Sequence, residues 1–101
     1  MAIQTKLDSA SKTLTLAISG RFDFGIHRDF RKATEQAVNG VNSIVVDMGQ
    51  VDYLDSSALG MLLVLRDKVG ESKSSVKIKG ARPDVKKILQ IANFDKLFTL
   101  E

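Results

Sequence analysis

The chain has 101 residues, 44% of them hydrophobic and 27% charged, a composition suited to one soluble domain spanning residues 1–101 around one core. Its net charge of +3 comes from Lys and Arg scattered between Lys6 and Lys96, with no like-charged block and no interleaved aromatics, which argues against a nucleic-acid interface and for a solvated surface able to select an acidic partner. The absence of cysteine excludes disulfides, thiolate chemistry and Cys-ligated metal, and fits a cytoplasmic protein.

The first residues, Met1 to Lys6, lack the apolar core of a signal peptide. Ile3 to Leu7 alternates weakly and reads as an edge strand, followed by a polar turn at residues 8–12. Thr13 to Ile18 alternates well, with Leu14, Leu16 and Ile18 on one side, so it predicts a half-buried strand that Gly20 closes. The two strands would form an antiparallel hairpin. Ile26, Phe30, Ala33 and Ala37 have helical spacing, which predicts a helix over 26–38 with a stop at Gly40. The β-branched run Ser43 to Met48 does not alternate, which suggests a parallel central strand covered on both faces.

A second helix is expected over Ala58 to Val69, with Leu59, Leu62, Leu63, Arg66 and Val69 on its period and Gly70 at its end. This segment holds the longest apolar run, Ala58 to Leu65. Gly60 interrupts it, and it is far too short to span a bilayer, so no membrane role is expected. Val76 to Lys79 alternates as a strand. Pro83 suits the first position of a third helix striped by Val85, Ile88, Leu89 and Ala92, with Asn93 at its end, and Leu97 to Leu100 reads as a last short strand. The order β β α β α β α β predicts an α/β fold: a mixed sheet, antiparallel at an edge hairpin and otherwise parallel, covered by about three main helices.

The stretch from Val46 to Gly60 is the most informative. It reads as a strand, a tight loop holding Asp52, Tyr53 and Asp55, and a helix start at Ser56-Ser57. The first amides of a helix lack intrahelical acceptors, and the macrodipole adds partial positive charge there, so a phosphate on Ser56 or Ser57 would sit at an anion-favouring position. It would add about −1.5 to −2 charges, beside Asp55. Capping alone also accounts for an Asp or Ser at this point, and the two roles are compatible.

Asp55-Ser56-Ser57-Ala58-Leu59-Gly60, following a hydrophobic strand that ends in Asp47, resembles the Asp-Ser-Ser-Gly-Leu-Gly signature of STAS domains, and most closely that of anti-sigma factor antagonists. Gly20-Arg21-Phe22-Asp23 and Phe94-Asp95-Lys96-Leu97-Phe98 are similar to other family features, so the resemblance covers the chain. It implies a STAS-like fold and a phospho-switch, and with no catalytic motif in the chain the reading is of a non-enzymatic monomer without a cofactor. Unphosphorylated, such a protein binds an anti-sigma factor that is also a serine kinase of histidine-kinase-like type. Phosphorylation of the Ser after the Asp, here Ser56, releases that partner, and a PP2C-like serine phosphatase resets the switch. Ser57 is the secondary acceptor and better suited to capping. Ala58 stands where the family usually has Gly.

By the same resemblance, the partner docks around this serine and the loop after the second strand. That nominates Phe22, Asp23, Phe24, Tyr53, Asp55, Ser56, Ser57 and Met61. Core packing accounts equally well for Met61, a hydrophobic staple for Phe24 and a core lid for Tyr53. Two alternatives remain: a phospho-switch acting on a non-sigma partner that controls biofilm, secretion or motility, and a STAS scaffold module that is not phosphorylated.

Other chemistries find little footing. A receiver domain would need an acidic pair after its first strand to hold magnesium near Asp47, and Ser19-Gly20 stands there instead. His27, the only histidine, reads as a polar surface residue. No nucleophile–base pair, metal cluster or phosphate-binding Gly-rich loop has workable spacing.

Overall fold

The computed structural model describes residues 3–35, 41–69 and 76–101. They form five strands, β1 (Ile3–Asp8), β2 (Thr13–Phe22), β3 (Ser43–Leu54), β4 (Val76–Lys79) and β5 (Thr99–Leu100), and three helices, α1 (His27–Glu35), α2 (Ser56–Lys68) and α3 (Pro83–Ile91). Short 3-10 turns at Phe24–Ile26 and Phe94–Lys96 lead into α1 and follow α3. The expected element order is the observed one.

β1 and β2 pair antiparallel, with Ile3 opposite Ile18 and Asp8 opposite Thr13. From β2 onward every neighbour is parallel, and the sheet order β1-β2-β3-β4-β5 follows the chain. Strand–helix–strand crossovers are right-handed by rule, so three that step the same way across a sheet place their helices on the same face. Burial agrees. Leu14, Leu16 and Ile18 of β2, Ile44, Val46 and Met48 of β3, and Val76 and Ile78 of β4 are buried, whereas Thr13, Thr15, Ala17, Val45 and Lys77 between them are only partly covered. The expectation that β3 is covered on both faces is therefore corrected. β3 is central and parallel to both neighbours, but Val45 and Asp47 line an uncovered face.

The core lies between this sheet and the helices. Leu16, Ile44, Leu62 and Leu89 have no exposed surface, and each contributes about 1.5–3 kcal/mol by burial. Thr34 is the one buried polar residue among those described, and its Oγ1 donates to the Arg31 carbonyl at 3.0 Å.

Several boundaries differ from the sequence reading: β1 runs on to Asp8 and α2 begins at Ser56, not Ala58. β2 does not stop at Gly20 but passes through it at φ 76° and continues to Phe22. β3 does not stop at Met48. The Asp47 carboxylate accepts the Gly49 amide at 3.0 Å, the register slips from Ala17↔Asp47 to Ser19↔Gln50, and pairing resumes up to Phe22↔Leu54. α1 begins at His27, with Ile26 in the preceding 3-10 turn; residues 36–40, including the expected stop at Gly40, and the stop at Gly70 lie outside the described residues. β5 is confined to Thr99–Leu100 because the Phe98 amide still donates back to the Phe94 carbonyl at 2.8 Å.

β4 ends at Lys79, level with Asp47. The extra length of β2 and β3 therefore projects beyond it as a two-stranded arm and carries the loops that follow both strands to one end of the sheet, outside the carboxyl ends of parallel strands, where such folds usually place their sites.

Candidate functional site

Asp55 leaves β3 with extended backbone, φ −119° and ψ −176°, and turns the chain into α2. Its carboxylate accepts the Ala58 amide at 3.1 Å, and its carbonyl accepts from Ala58 and Leu59 at 3.1 and 3.3 Å. Asp55 is thus the N-cap, and the capping role expected of Ser57 is corrected. Ser57, at the second helical position, is half-buried, while Ser56, at the first, is exposed. The Ser56 hydroxyl is left without a structural task, because the cap is already supplied.

Ala58 has no exposed surface, so its methyl is part of the core. α2 buries Ala58, Leu62 and Leu65 most deeply; of the expected stripe, Leu62 is in the core and Leu59 and Val69 pack partly buried against it, whereas Leu63 and Arg66 do not. Leu63 and Val64 are 38% and 54% exposed, and Arg66 donates from Nε to the Leu97 carbonyl at 3.1 Å.

The pairing of Arg21 with Tyr53 brings the loop after β2 beside the loop after β3. The Arg21 guanidinium lies 4.0 Å over the Tyr53 ring, while its Nε donates to Asp23 Oδ2 at 3.3 Å. Asp23 Oδ1 accepts the Gly25 amide at 2.9 Å and starts the 3-10 turn. Tyr53 is 41% exposed, so it is not a core lid. Phe24, at 61% exposure, does not staple the core. Its ring stacks on His27 at 4.1 Å and 13°, and His27 Nδ1 donates to the Phe24 carbonyl at 2.9 Å.

Phe22 is the exception among the nominated residues. It has no exposed surface and lies 5.5 Å from the Phe30 ring in the core, so the structure withdraws it as a docking residue. The others meet at one end of the molecule: Asp23 and Tyr53 joined through Arg21, Asp55 and Ser56 at the head of α2, and Phe24, Ser57 and Met61 around a groove of about 430 Å³ between α1 and α2. No acidic or histidine cluster able to hold a metal occurs among the described residues, and none of their helices is long and apolar enough to cross a membrane.

Two features escaped the sequence reading. Arg21 was reachable, since it stands two residues before Asp23 and side chains at that spacing share a strand face. The groove was not, because His27, Arg31 and Thr34 belong to one helix and Val64 and Lys68 to another, and only packing brings them together.

A five-stranded sheet wound in one direction behind an antiparallel edge strand, with its three helices on one face, defines an α/β module with a mixed sheet. The family described as "Mlab, STAS domain" matches residues 5–100. A STAS-domain-containing protein of Pseudomonas aeruginosa (strain UCBPP-PA14) is 46% identical over 99% of both chains. The chain belongs to the STAS-domain family. Among solved structures, the anti-sigma factor antagonist SpoIIAA in its unphosphorylated form is similar with a TM-score of 0.82 at 18% identity, over 99% of this chain and 88% of that one. The phosphorylated form of Bacillus SpoIIAA gives 0.75 at 17%, over 99% and 91%. At these identities the likeness is one of fold.

Proposed function

We propose that this chain is a phosphorylation-controlled anti-sigma factor antagonist. In this reading the unphosphorylated protein binds an anti-sigma factor that is also a serine kinase of histidine-kinase-like type. That kinase transfers the γ-phosphoryl group of ATP to Ser56 Oγ, releasing ADP and the hydroxyl proton, and a PP2C-like phosphatase hydrolyses the phosphoserine ester back to serine and inorganic phosphate. The chain acts as one non-enzymatic STAS unit.

The observation that carries this reading is the division of labour at the head of α2. Asp55 caps the helix through the Ala58 amide, and Ser56 stands exposed one residue further on. A phosphate there would add about −1.5 to −2 charges on the residue next to Asp55. The local field of the docking surface would change sign or deepen while β3, α2 and the core keep their places. The SpoIIAA structures in unphosphorylated and phosphorylated form support the reading as fold-level precedent.

Mass spectrometry of the protein from its native cells, with pull-downs of the Ser56→Ala and Ser56→Asp variants, tests it. Phosphate on Ser56, binding kept by Ser56→Ala and binding lost by Ser56→Asp are expected. Equal binding by the two variants overturns the switch. Absence of phosphate under every growth condition assigns the protein to the scaffold-module class. The partner recovered by Ser56→Ala decides between a sigma-factor regulator and a non-sigma target.

A further inference from the structure

The groove between α1 and α2 opens directly beside the head of α2. Both helices start at the carboxyl ends of adjacent parallel strands and therefore run side by side in the same sense. Phe30 floors the groove, Phe24 and Ser57 stand at its upper end, and Met61 and Val64 form its α2 wall. Phe24 and Val64, 61% and 54% exposed, make this an apolar surface open to solvent. Arg31 on one wall and Lys68 on the other are exposed cations, and among the described residues no carboxylate lines the groove.

We propose that this groove docks an amphipathic helix of the partner, presenting apolar residues on one face and acidic residues at its flanks. Charge complementarity selects the sign, since two lining cations with no carboxylate among the described lining residues favour a negatively charged occupant and disfavour a basic one. The walls select the conformation. Both are helices whose backbone groups are satisfied internally, so an extended peptide would find no free ladder to join, whereas a helix can lay apolar side chains into the groove. From Ser57 to Lys68 the α2 wall is about 16 Å long at 1.5 Å per residue, which matches about three turns of the occupant.

This docking mode deepens the switch described above and rests on it in one respect: Ser57, the residue after Ser56, lines the groove's upper end, so a phosphate on Ser56 would add negative charge one residue away and repel an acidic helix. The groove accounts for what the phosphate controls, and the phosphate accounts for when the groove is open.

A photo-crosslinking benzoylphenylalanine in place of Val64, expressed in the native cell in a Ser56→Ala background, tests the occupant. The cross-linked peptide is sequenced, then synthesised and titrated by fluorescence anisotropy against the wild-type protein, Val64→Asp, the Arg31→Glu/Lys68→Glu double variant and Ser56→Asp. The three groove positions are exposed, so the folded state tolerates these changes. The expected adduct is a segment with net negative charge and apolar residues at helical spacing, bound roughly tenfold more weakly by Val64→Asp and by the double variant. No peptide adduct, a basic or unpatterned segment, or wild-type affinity in the double variant overturns the groove. Weakened binding by the groove variants with Ser56→Asp unaffected leaves the docking site standing and removes the switch. Loss in Ser56→Asp alone does the reverse.

Discussion

The carboxylate of Asp55 and the amide of Ala58, 3.1 Å apart, tie the end of the central strand to the start of α2 and leave Ser56 between them without a structural partner. Removing an N-cap side chain costs about 1 kcal/mol. Asp55→Ala is therefore expected to lower Tm by roughly 5 °C for a chain of this size, whereas Asp55→Asn keeps an acceptor and stays within about 0.3 kcal/mol of wild type. Thermal unfolding followed by circular dichroism checks both. The Asn variant then separates the cap from the charge: if kinase recognition needs the negative charge, phosphorylation of Ser56 falls while stability does not.

Ser56→Asp is expected to be nearly neutral for stability. An acidic residue in the first turn gains about 0.3–1 kcal/mol from the helix macrodipole, and repulsion from Asp55 offsets part of that. A change of no more than about 0.5 kcal/mol in urea unfolding is the expected result. A loss of partner binding in this variant then reports on docking and not on unfolding. Destabilisation beyond about 2 kcal/mol would instead mean that Ser56 holds a structural contact.

Much of this architecture was legible in the sequence, and the reasons are local. The alternation of Leu14, Leu16 and Ile18 marked the inward face of β2, and Asp-Ser-Ser before an apolar run marked the head of α2. Three things were hidden. Gly20 and Gly49 look like strand ends, yet one tolerates φ 76° and the other sits in a bulge held by Asp47, so β2 and β3 run further than their apolar runs. The segment from Ala58 to Val69 is apolar on nearly every side, and periodicity alone could not choose Ala58, Leu62 and Leu65 over Leu63 and Val64. The single-face coverage of β3 depends on the direction in which successive crossovers step across the sheet, and no residue of β3 encodes that.

Arg21 and Tyr53 sit side by side on neighbouring strands, with the guanidinium 4.0 Å over the ring. Arg21 is exposed and Tyr53 partly so, and an exposed cation–π pair contributes about 0.5–1 kcal/mol. A double-mutant cycle of Arg21→Ala and Tyr53→Ala, read by chemical denaturation, is expected to return a coupling of about 0.5 kcal/mol. Because the pair joins the loops after β2 and β3, two segments of the proposed docking surface, both single variants are also expected to weaken partner binding. A coupling indistinguishable from zero would show that the two side chains are held independently.

Gly80 and Gly20 both adopt positive φ, 74° and 76°, but their surroundings differ. A Cβ on Gly20 meets nothing within 4 Å, whereas one on Gly80 lies 3.2 Å from the Gly49 nitrogen and 3.3 Å from its Cα. Gly20→Ala is thus expected to cost about 1–2 kcal/mol of backbone strain. Gly80→Ala carries the same strain plus a backbone collision that loosens the β3 bulge, so it should be the more destabilised of the two in urea titration. The reverse order would show that the loop after β4 relaxes freely.

Phe22 and Tyr53 lie near each other at the end of the β2–β3 arm and play opposite roles. Phe22 is enclosed against Phe30, and truncating a buried Phe costs about 3–5 kcal/mol, a large part of the stability of a domain this small. Phe22→Ala is expected to lower Tm steeply, and its loss of partner binding should follow the fraction of unfolded protein, so that lowering the temperature restores binding. Tyr53→Ala removes a half-exposed ring and should unfold within about 1 kcal/mol of wild type while binding the partner more weakly at every temperature at which the protein is folded. Binding isotherms collected alongside melting curves for the two variants separate core from contact. If Phe22→Ala stayed folded and lost binding regardless of temperature, the side chain would belong to the docking surface after all, and the burial that removes it from the site would have to open on complex formation.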